Sequence, residues 1–235
     1  MLISHSHRFV FLKTHKTAGT SLHAMLRPFC VPPNDRTEAT RSLHISPWGM
    51  VSSATRTTSE QYSPHKWYEH SGLELLRTYM PIAFHTYHKI AVVRHPYDKT
   101  VSAFFFSKWN DGQSDKRDML QLTGAENLQE QFYRYVTNSP VFWTMRHDRE
   151  LFFDSREQFR IDSIIRFESL QKDLQKMSDS LGLGLDIAKA LPLKKRVVEE
   201  EVRQRYRQLI APESKAVIDD YYGWYFDQFG YEKTL

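Results

Sequence analysis

The chain is predicted to adopt an α/β fold, with a central parallel sheet covered by helices, and three observations predict it. Short apolar runs containing β-branched residues recur at Phe9 to Leu12, Ile90 to Val93 and Ser163 to Phe167. After each run comes a polar or turn-forming stretch and then apolar residues at helical spacing. No internal repeat or second domain is visible, so residues 1–235 are expected to form a single domain. In such sheets ligands bind beyond the carboxyl ends of the strands, which directs attention to the loops after each run.

Met1 to Arg8 is polar and His-rich, and Phe9-Val10-Phe11-Leu12 then reads as a buried strand entering the polar stretch Lys13 to Thr17. After Gly19, residues Leu22, Met25, Leu26 and Phe29 recur at helical spacing until Pro32-Pro33 ends the pattern. Asn34 to Ser63 is rich in Thr, Ser, Arg and Pro without a sustained period, and reads as a long surface excursion. Leu73, Leu76 and Met80 mark a helix over Gly72 to Met80, followed by the strand Ile90-Ala91-Val92-Val93. From Asp98 to Trp109, residues Val101, Phe104, Phe105 and Lys108 share a helical face, with Asp98 placed to cap the first turn. A charged loop from Asp111 to Glu126 precedes a helix carrying Leu128, Phe132, Tyr135 and Val136. The third strand leads into a helix lined by Leu170, Leu174, Met177 and Leu181, which Gly182 and Gly184 stop. Glu199 to Phe229 reads as mostly helical, with Val202, Tyr206, Leu209, Val217, Tyr221, Trp224 and Tyr225 as its apolar positions.

With 40% hydrophobic and 14% aromatic residues in 235, the chain can bury a substantial core. The balance of 32 Lys and Arg against 28 Asp and Glu leaves +4, which favours anionic ligands without requiring them. Neither a dense basic stripe nor a module motif points to nucleic acid. One cysteine, Cys30, excludes an intrachain disulfide and a Cys-cluster zinc site, and it reads as a buried small apolar residue. The reducing cytoplasm is the expected location. The apolar run at Phe9 is too short for a signal sequence or a membrane span, so a soluble protein is expected, with peripheral membrane contact left open.

The segment Lys13-Thr14-His15-Lys16-Thr17-Ala18-Gly19-Thr20-Ser21 joins the first strand to the first helix, where backbone N–H groups and the helix dipole attract an anion. Ala18 and Gly19 let the backbone close in on it, Lys16 can set its ammonium against phosphate or sulfate oxygens, and Thr17, Thr20 and Ser21 offer hydroxyls. A nucleoside triphosphatase loop needs G-x-x-x-x-G-K-[ST], but the only glycine here follows Lys16. The order strand, K-T-x-G-T, helix instead resembles the 5′-phosphosulfate loop of sulfotransferases that use 3′-phosphoadenosine 5′-phosphosulfate (PAPS). Phe11 to Thr17 is especially similar to galactose sulfotransferases.

A second segment, Ile90 to Phe106, reads IAVVRHPYDKTVSAFFF and sets Arg94 at a strand end and Ser102 in the next helix. Arginine supplies a planar fork and serine a hydroxyl for one phosphate. The segment resembles the 3′-phosphate motif of the same family, strand-R-x-P-x-x-x-x-x-S. Ile165-Arg166-Phe167-Glu168-Ser169-Leu170 and Phe229-Gly230-Tyr231 resemble its late strand and C-terminal segment, although Arg166 and Glu168 read equally well as structural. Lys194, Lys195 and Arg196 stand where relatives carry a donor-covering loop, or form a solvated basic turn. The resemblance to carbohydrate sulfotransferases implies a P-loop-like three-layer α/β/α fold, PAPS as donor, a carbohydrate or other hydroxyl acceptor, and no metal.

Sulfuryl transfer needs an acceptor hydroxyl in line with the departing oxygen, a base for its proton and a cation for the leaving group. Lys16 is the obvious cation. Among eleven histidines His70 leads as base. It is read as beginning the helix ahead of Ile90, in Trp67-Tyr68-Glu69-His70-Ser71-Gly72, at a position similar to the basic histidine of heparan sulfate uronyl sulfotransferases. That pattern carries two histidines two apart, and the earlier position here is Tyr68. Glu69, His65, His85, His88 and His15 stay open as alternatives, and Glu69 could instead orient His70 or do nothing. Two competing readings are a nucleotide kinase, which would need a G-K-[ST] loop and a magnesium carboxylate, and a non-catalytic glycan or nucleotide-binding module, which could dispense with Lys16 and His70.

Overall fold

The structure, a computed structural model, describes residues 1–35, 43–53, 67–110, 125–190 and 207–235. Its strands are β1 (Leu2–Ser4), β2 (Phe9–Leu12), β3 (His44–Ser46), β4 (Gly49–Val51), β5 (His88–Val93) and β6 (Ser163–Arg166). They form one sheet in the order β3-β4-β1-β2-β5-β6. The α/β expectation holds: β2, β5 and β6, the three predicted runs, are mutually parallel. The sheet as a whole is mixed, because β1, β4 and β3 extend it by antiparallel pairing.

That extension was hidden in the sequence. Met1 to Arg8 reads as polar, yet Leu2, Ile3 and Ser4 are fully buried in a hairpin with β2 in the register Leu2↔Phe11, Ile3↔Val10 and Ser4↔Phe9. Three residues are too few to show alternation, and the buried Ser4 hydroxyl is satisfied by donating to the Phe29 carbonyl at 2.6 Å. Likewise the excursion expected over Asn34 to Ser63 contains the β3–β4 hairpin, while 36–42 and 54–63 lie outside the described residues. Gly49 makes the hairpin's approach to β1 possible: its φ is +156°, and a Cβ there would lie 1.9 Å from the Ile3 carbonyl oxygen.

The chain divides into two compact units, Met1–Val93 with His147–Lys194, and Arg94–Arg146 with Lys195–Leu235. The first holds the sheet, helices α1 (Gly19–Leu26), α2 (Leu73–Tyr79) and α3 (Pro81–Thr86), and, in its later segment, α7 (Leu170–Ser180) and α8 (Ile187–Ala190). Its core joins Phe9 and Phe11 of β2 and Ile90 and Val92 of β5 to Leu22, Met25 and Leu26 of α1 and Leu174 and Met177 of α7. Burying each such side chain contributes about 1.5–3 kcal/mol. Pro81 opens α3 directly after α2, where the sequence showed only one helix.

The second unit holds α4 (Pro96–Asn110), α5 (Ala125–Asn138), α6 (Pro140–Thr144), α9 (Pro212–Tyr221) and α10 (Gly223–Phe229). Its interior is aromatic: Phe104 meets Phe132 and Tyr135, Tyr135 meets Phe142, and Phe142 packs on Tyr221 at a ring separation of 4.5 Å. Lys99 of α4 is fully buried with its ammonium 5.0 Å from the Tyr225 ring centroid. Asp98 lies inside the first turn of α4 and does not cap it as expected; its carboxylate accepts hydrogen bonds from Arg207 at 3.2 and 3.4 Å.

Candidate active site

The loop after β2 is anchored from beneath. Thr14 Oγ1 donates to the Val92 carbonyl of β5 at 2.6 Å and meets Thr17 Oγ1 at 2.7 Å. Thr17, 1% exposed, therefore has its hydroxyl committed inside the loop, where it also contacts the Thr14 carbonyl at 3.1 Å. Lys16 and Ala18 both adopt left-handed backbone, φ 60° and 61°. Non-glycine residues held there cost about 1–3 kcal/mol each, and such turns aim backbone N–H groups at a common point. Ala18 precedes α1 without a side-chain cap, so the helix start presents main-chain donors rather than a neutralising side chain. Lys16 is half-buried, Thr20 exposed and Ser21 half-buried.

Gly19 is required by close approach. A Cβ on it would lie 2.7 Å from Lys13 Cγ and 2.9 Å from Cε, because the buried Lys13 side chain crosses over it. Beyond that crossing Lys13 Nζ forms a short ion pair with Glu69. Lys13 thus ties the loop to the segment bearing His70.

His70 lies in a tight turn three residues ahead of α2 and not at a helix start, as the sequence suggested. The reason is local. Ser71 Oγ accepts the Tyr68 N–H at 3.0 Å and the Ser71 N–H returns to the Tyr68 carbonyl at 3.0 Å, closing the turn before the helix begins. Glu69 N–H donates to Ser53 at 2.8 Å, fixing the turn on its other side.

His70 Nδ1 lies 2.7 Å from the Lys13 carbonyl. A carbonyl only accepts, so Nδ1 carries the hydrogen and the lone pair of the neutral ring is on Nε2, 3.5 Å from Glu69 Oε1. Burial lowers the His70 pKa below the ordinary histidine value, against the opposing pull of Glu69. Burial alone would raise Glu69, but His70 and Lys13 outweigh it and hold the carboxylate at about 2. The pair is therefore a neutral imidazole beside a permanent carboxylate. Protonation at Nε2 would create a cation facing that carboxylate, whose charge would stabilise it.

The ring of His15 stacks on His70 at 3.8 Å and 11°. His15 Nδ1 in turn meets the buried Asp148 carboxylate at 2.6 Å, and the His15 backbone N–H lies 3.3 Å from both Asp148 oxygens. Asp148, 133 residues from His15, had no sequence signal; only the fold brings it to the loop.

Of the other candidates, His88 opens β5 opposite Phe9, at the amino ends of the parallel strands, and contacts Ser163 Oγ at 2.7 Å; His85 is exposed on α3. His65, Lys194, Lys195 and Arg196 lie outside the described residues. Cys30 is buried, with burial pushing its thiol up to about 12, as a packing role requires. The Arg166 N–H is held by Asp173 at 3.0 Å, and Glu168 is exposed. In the second unit, Arg94 follows the last residue of β5 in the chain and its N–H donates to Tyr225 Oη at 3.1 Å; Ser102 is half-buried in α4. No described helix is long and apolar enough to cross a membrane.

Comparison with known proteins draws these features together. No curated protein and no solved structure matches the chain. A family model described as the Sulfotransferase family matches residues 1–232, through both units and with the β2 loop, the His70 turn and the Arg94 segment inside the match. The chain belongs to the sulfotransferase family.

Proposed function

We propose that this chain transfers the sulfuryl group of PAPS to a carbohydrate hydroxyl, with His70 as general base and Lys16 as the cation for the leaving group. Membership of the family already makes it a transferase of sulfuryl groups. The observation that carries the finer reading is the hydrogen bond between His70 Nδ1 and the Lys13 carbonyl, which joins a neutral imidazole, lone pair on Nε2, to the anion-binding loop itself. The loop fits the donor: two left-handed residues and an uncapped helix start favour a doubly substituted anion over a neutral ligand.

When bound, PAPS supplies the sulfuryl group and carries away the 5′-phosphate. The acceptor oxygen bonds to sulfur as the bridging bond breaks, and Nε2 of His70 takes the hydroxyl proton. Glu69 steadies the imidazolium so formed; held at about 2, it is itself too weak a base to compete. Lys16 offsets the charge developing on the departing oxygen, and the N–H groups at the start of α1, with Thr20 and Ser21, hold the non-bridging oxygens. Lys13 and Thr17 keep the loop in shape. Arg94 and Ser102 read the 3′-phosphate, the arginine by its fork and the serine by its hydroxyl. The acceptor class follows from the likeness of Phe11 to Thr17 to galactose sulfotransferases. We take both units as one domain, because the family match runs through both, and assign the chain to the cytoplasm on its single cysteine.

The test is the pH profile of turnover with and without His70. Because the His70 pKa is lowered, kcat/KM should rise with pH through a midpoint below about 6.5 and then level off. His70→Ala should lose that limb and about 10²–10⁴-fold in turnover, with affinity for 3′-phosphoadenosine 5′-phosphate unchanged. Near-normal turnover in His70→Ala beside an inactive Glu69→Gln would move the base to the carboxylate.

A further inference from the structure

We propose that His15 and Asp148 are positioning residues for His70: a buried carboxylate anchors one imidazole, whose face holds the second and couples its protonation to the charge behind it. The inference rests on the reading of His70 as base.

The Asp148 side chain is 1% exposed. A carboxylate at that depth needs hydrogen bonds to remain ionised, and His15 approaches it with ring and backbone together. They fix three things about His15. Its Nδ1 bears the hydrogen, since a carboxylate only accepts. Its main chain is pinned within the anion-binding loop, one residue before Lys16. Its ring plane is set, and that plane lies within 11° of His70 at 3.8 Å.

His70 is correspondingly confined. Its edge is held by the Lys13 carbonyl, Glu69 faces Nε2, the Tyr68 ring stands edge-on at 6.2 Å, and the His15 ring covers one face. Among the described residues, the ionisable and charged groups around it are His15 and Lys13 from the loop, Tyr68 and Glu69 from its own turn, and Asp148 from the 3₁₀ segment Met145–Leu151. Two imidazolium rings stacked at this distance repel, so positive charge on His15 disfavours protonation of His70, whereas the Asp148 carboxylate favours it. The two act in opposite directions, which a purely packing role would not produce.

The experiment uses the full chain carrying Asp148→Asn or His15→Phe, the first conserving shape and the second conserving a stacked ring. The His70 ring titration is followed by NMR, its resonance identified by its disappearance in His70→Ala, alongside the pH profile of turnover. Asp148→Asn should move the His70 midpoint down and His15→Phe should move it up. No movement in either variant, or movement in the same direction in both, overturns the proposal. Should Asp148→Asn fail to fold, His15→Phe decides alone: an upward shift supports the coupling, and an unmoved or lowered midpoint removes it. The titration reports on His70 whether or not it is the base, so normal turnover in His70→Ala would end the base reading while leaving the coupling to be judged by NMR.

Discussion

The loops after β2 and after β5 both join a parallel strand to a helix, but they are built differently. The first, Lys13 to Ala18, is shaped by its own polar network: Thr14 is tied to β5, Thr17 to Thr14, Lys13 to Glu69, and His15 to Asp148, with left-handed backbone at Lys16 and Ala18. The second is only Arg94-His95 before Pro96 opens α4, and its surroundings are aromatic, with Tyr225 accepting the Arg94 N–H and His95 packed against Tyr97, Phe226 and Tyr231. A loop of backbone donors suits an extended anion whose oxygens point several ways. A guanidinium fork ahead of a helix, with a hydroxyl from that helix, suits one compact group. The difference teaches that the two proposed anion contacts should fail differently when broken.

The largest effect should come from Lys16→Ala. If its ammonium serves the departing oxygen, kcat falls by about 10²–10³-fold while donor affinity changes far less. Single-turnover kinetics with labelled PAPS would show it, and equal losses in both terms would reduce Lys16 to a binding residue. Activity of the parent chain should also persist in EDTA, since Lys16 and main-chain donors are proposed to neutralise the donor.

Arg94→Ala should act on binding alone. Calorimetry is expected to show a loss of about 1.5–3 kcal/mol for 3′-phosphoadenosine 5′-phosphate and none for adenosine 5′-phosphate. If the parent chain binds both nucleotides equally, the second loop does not read a 3′-phosphate, and the comparison collapses to one anion site.

Gly19→Ala probes the loop's construction rather than its charge. The new methyl must displace the Lys13 stem, so thermal unfolding should reveal a loss of about 1–3 kcal/mol. The His70 turn should loosen with it, because Lys13 reaches that turn through Glu69. Unchanged stability would mean that Lys13 moves aside at little cost and that the crossing does not hold the loop.

Much of this was legible in one dimension. Apolar runs of four residues announced β2 and the core of β5, and helical spacing of Leu22, Met25 and Leu26 announced α1, because periodic burial is written in neighbouring residues. The order of Lys16, Gly19, Arg94 and Ser102 pointed to the family for the same reason: these motifs are local, and the chemistry of an anion-binding turn constrains adjacent positions. Segments too short for a period were missed, as in β1 and the β3–β4 hairpin, whose burial depends on strands elsewhere in the chain.

What only the tertiary structure decided is the wiring of the proposed base. Lys13 meets Glu69 across 56 residues, the Lys13 carbonyl meets His70 across 57, and Asp148 meets His15 across 133. None of these pairs shares a helix face or a strand alternation, so no spacing rule can announce them. Which nitrogen of His70 keeps its lone pair, and why Glu69 stays ionised beside it, are consequences of burial and of partners that meet only when the sheet closes. The sequence by itself determined the residue types and the two loops; folding determined which of those residues face one another, because electrostatic coupling depends on distance in space and not along the chain.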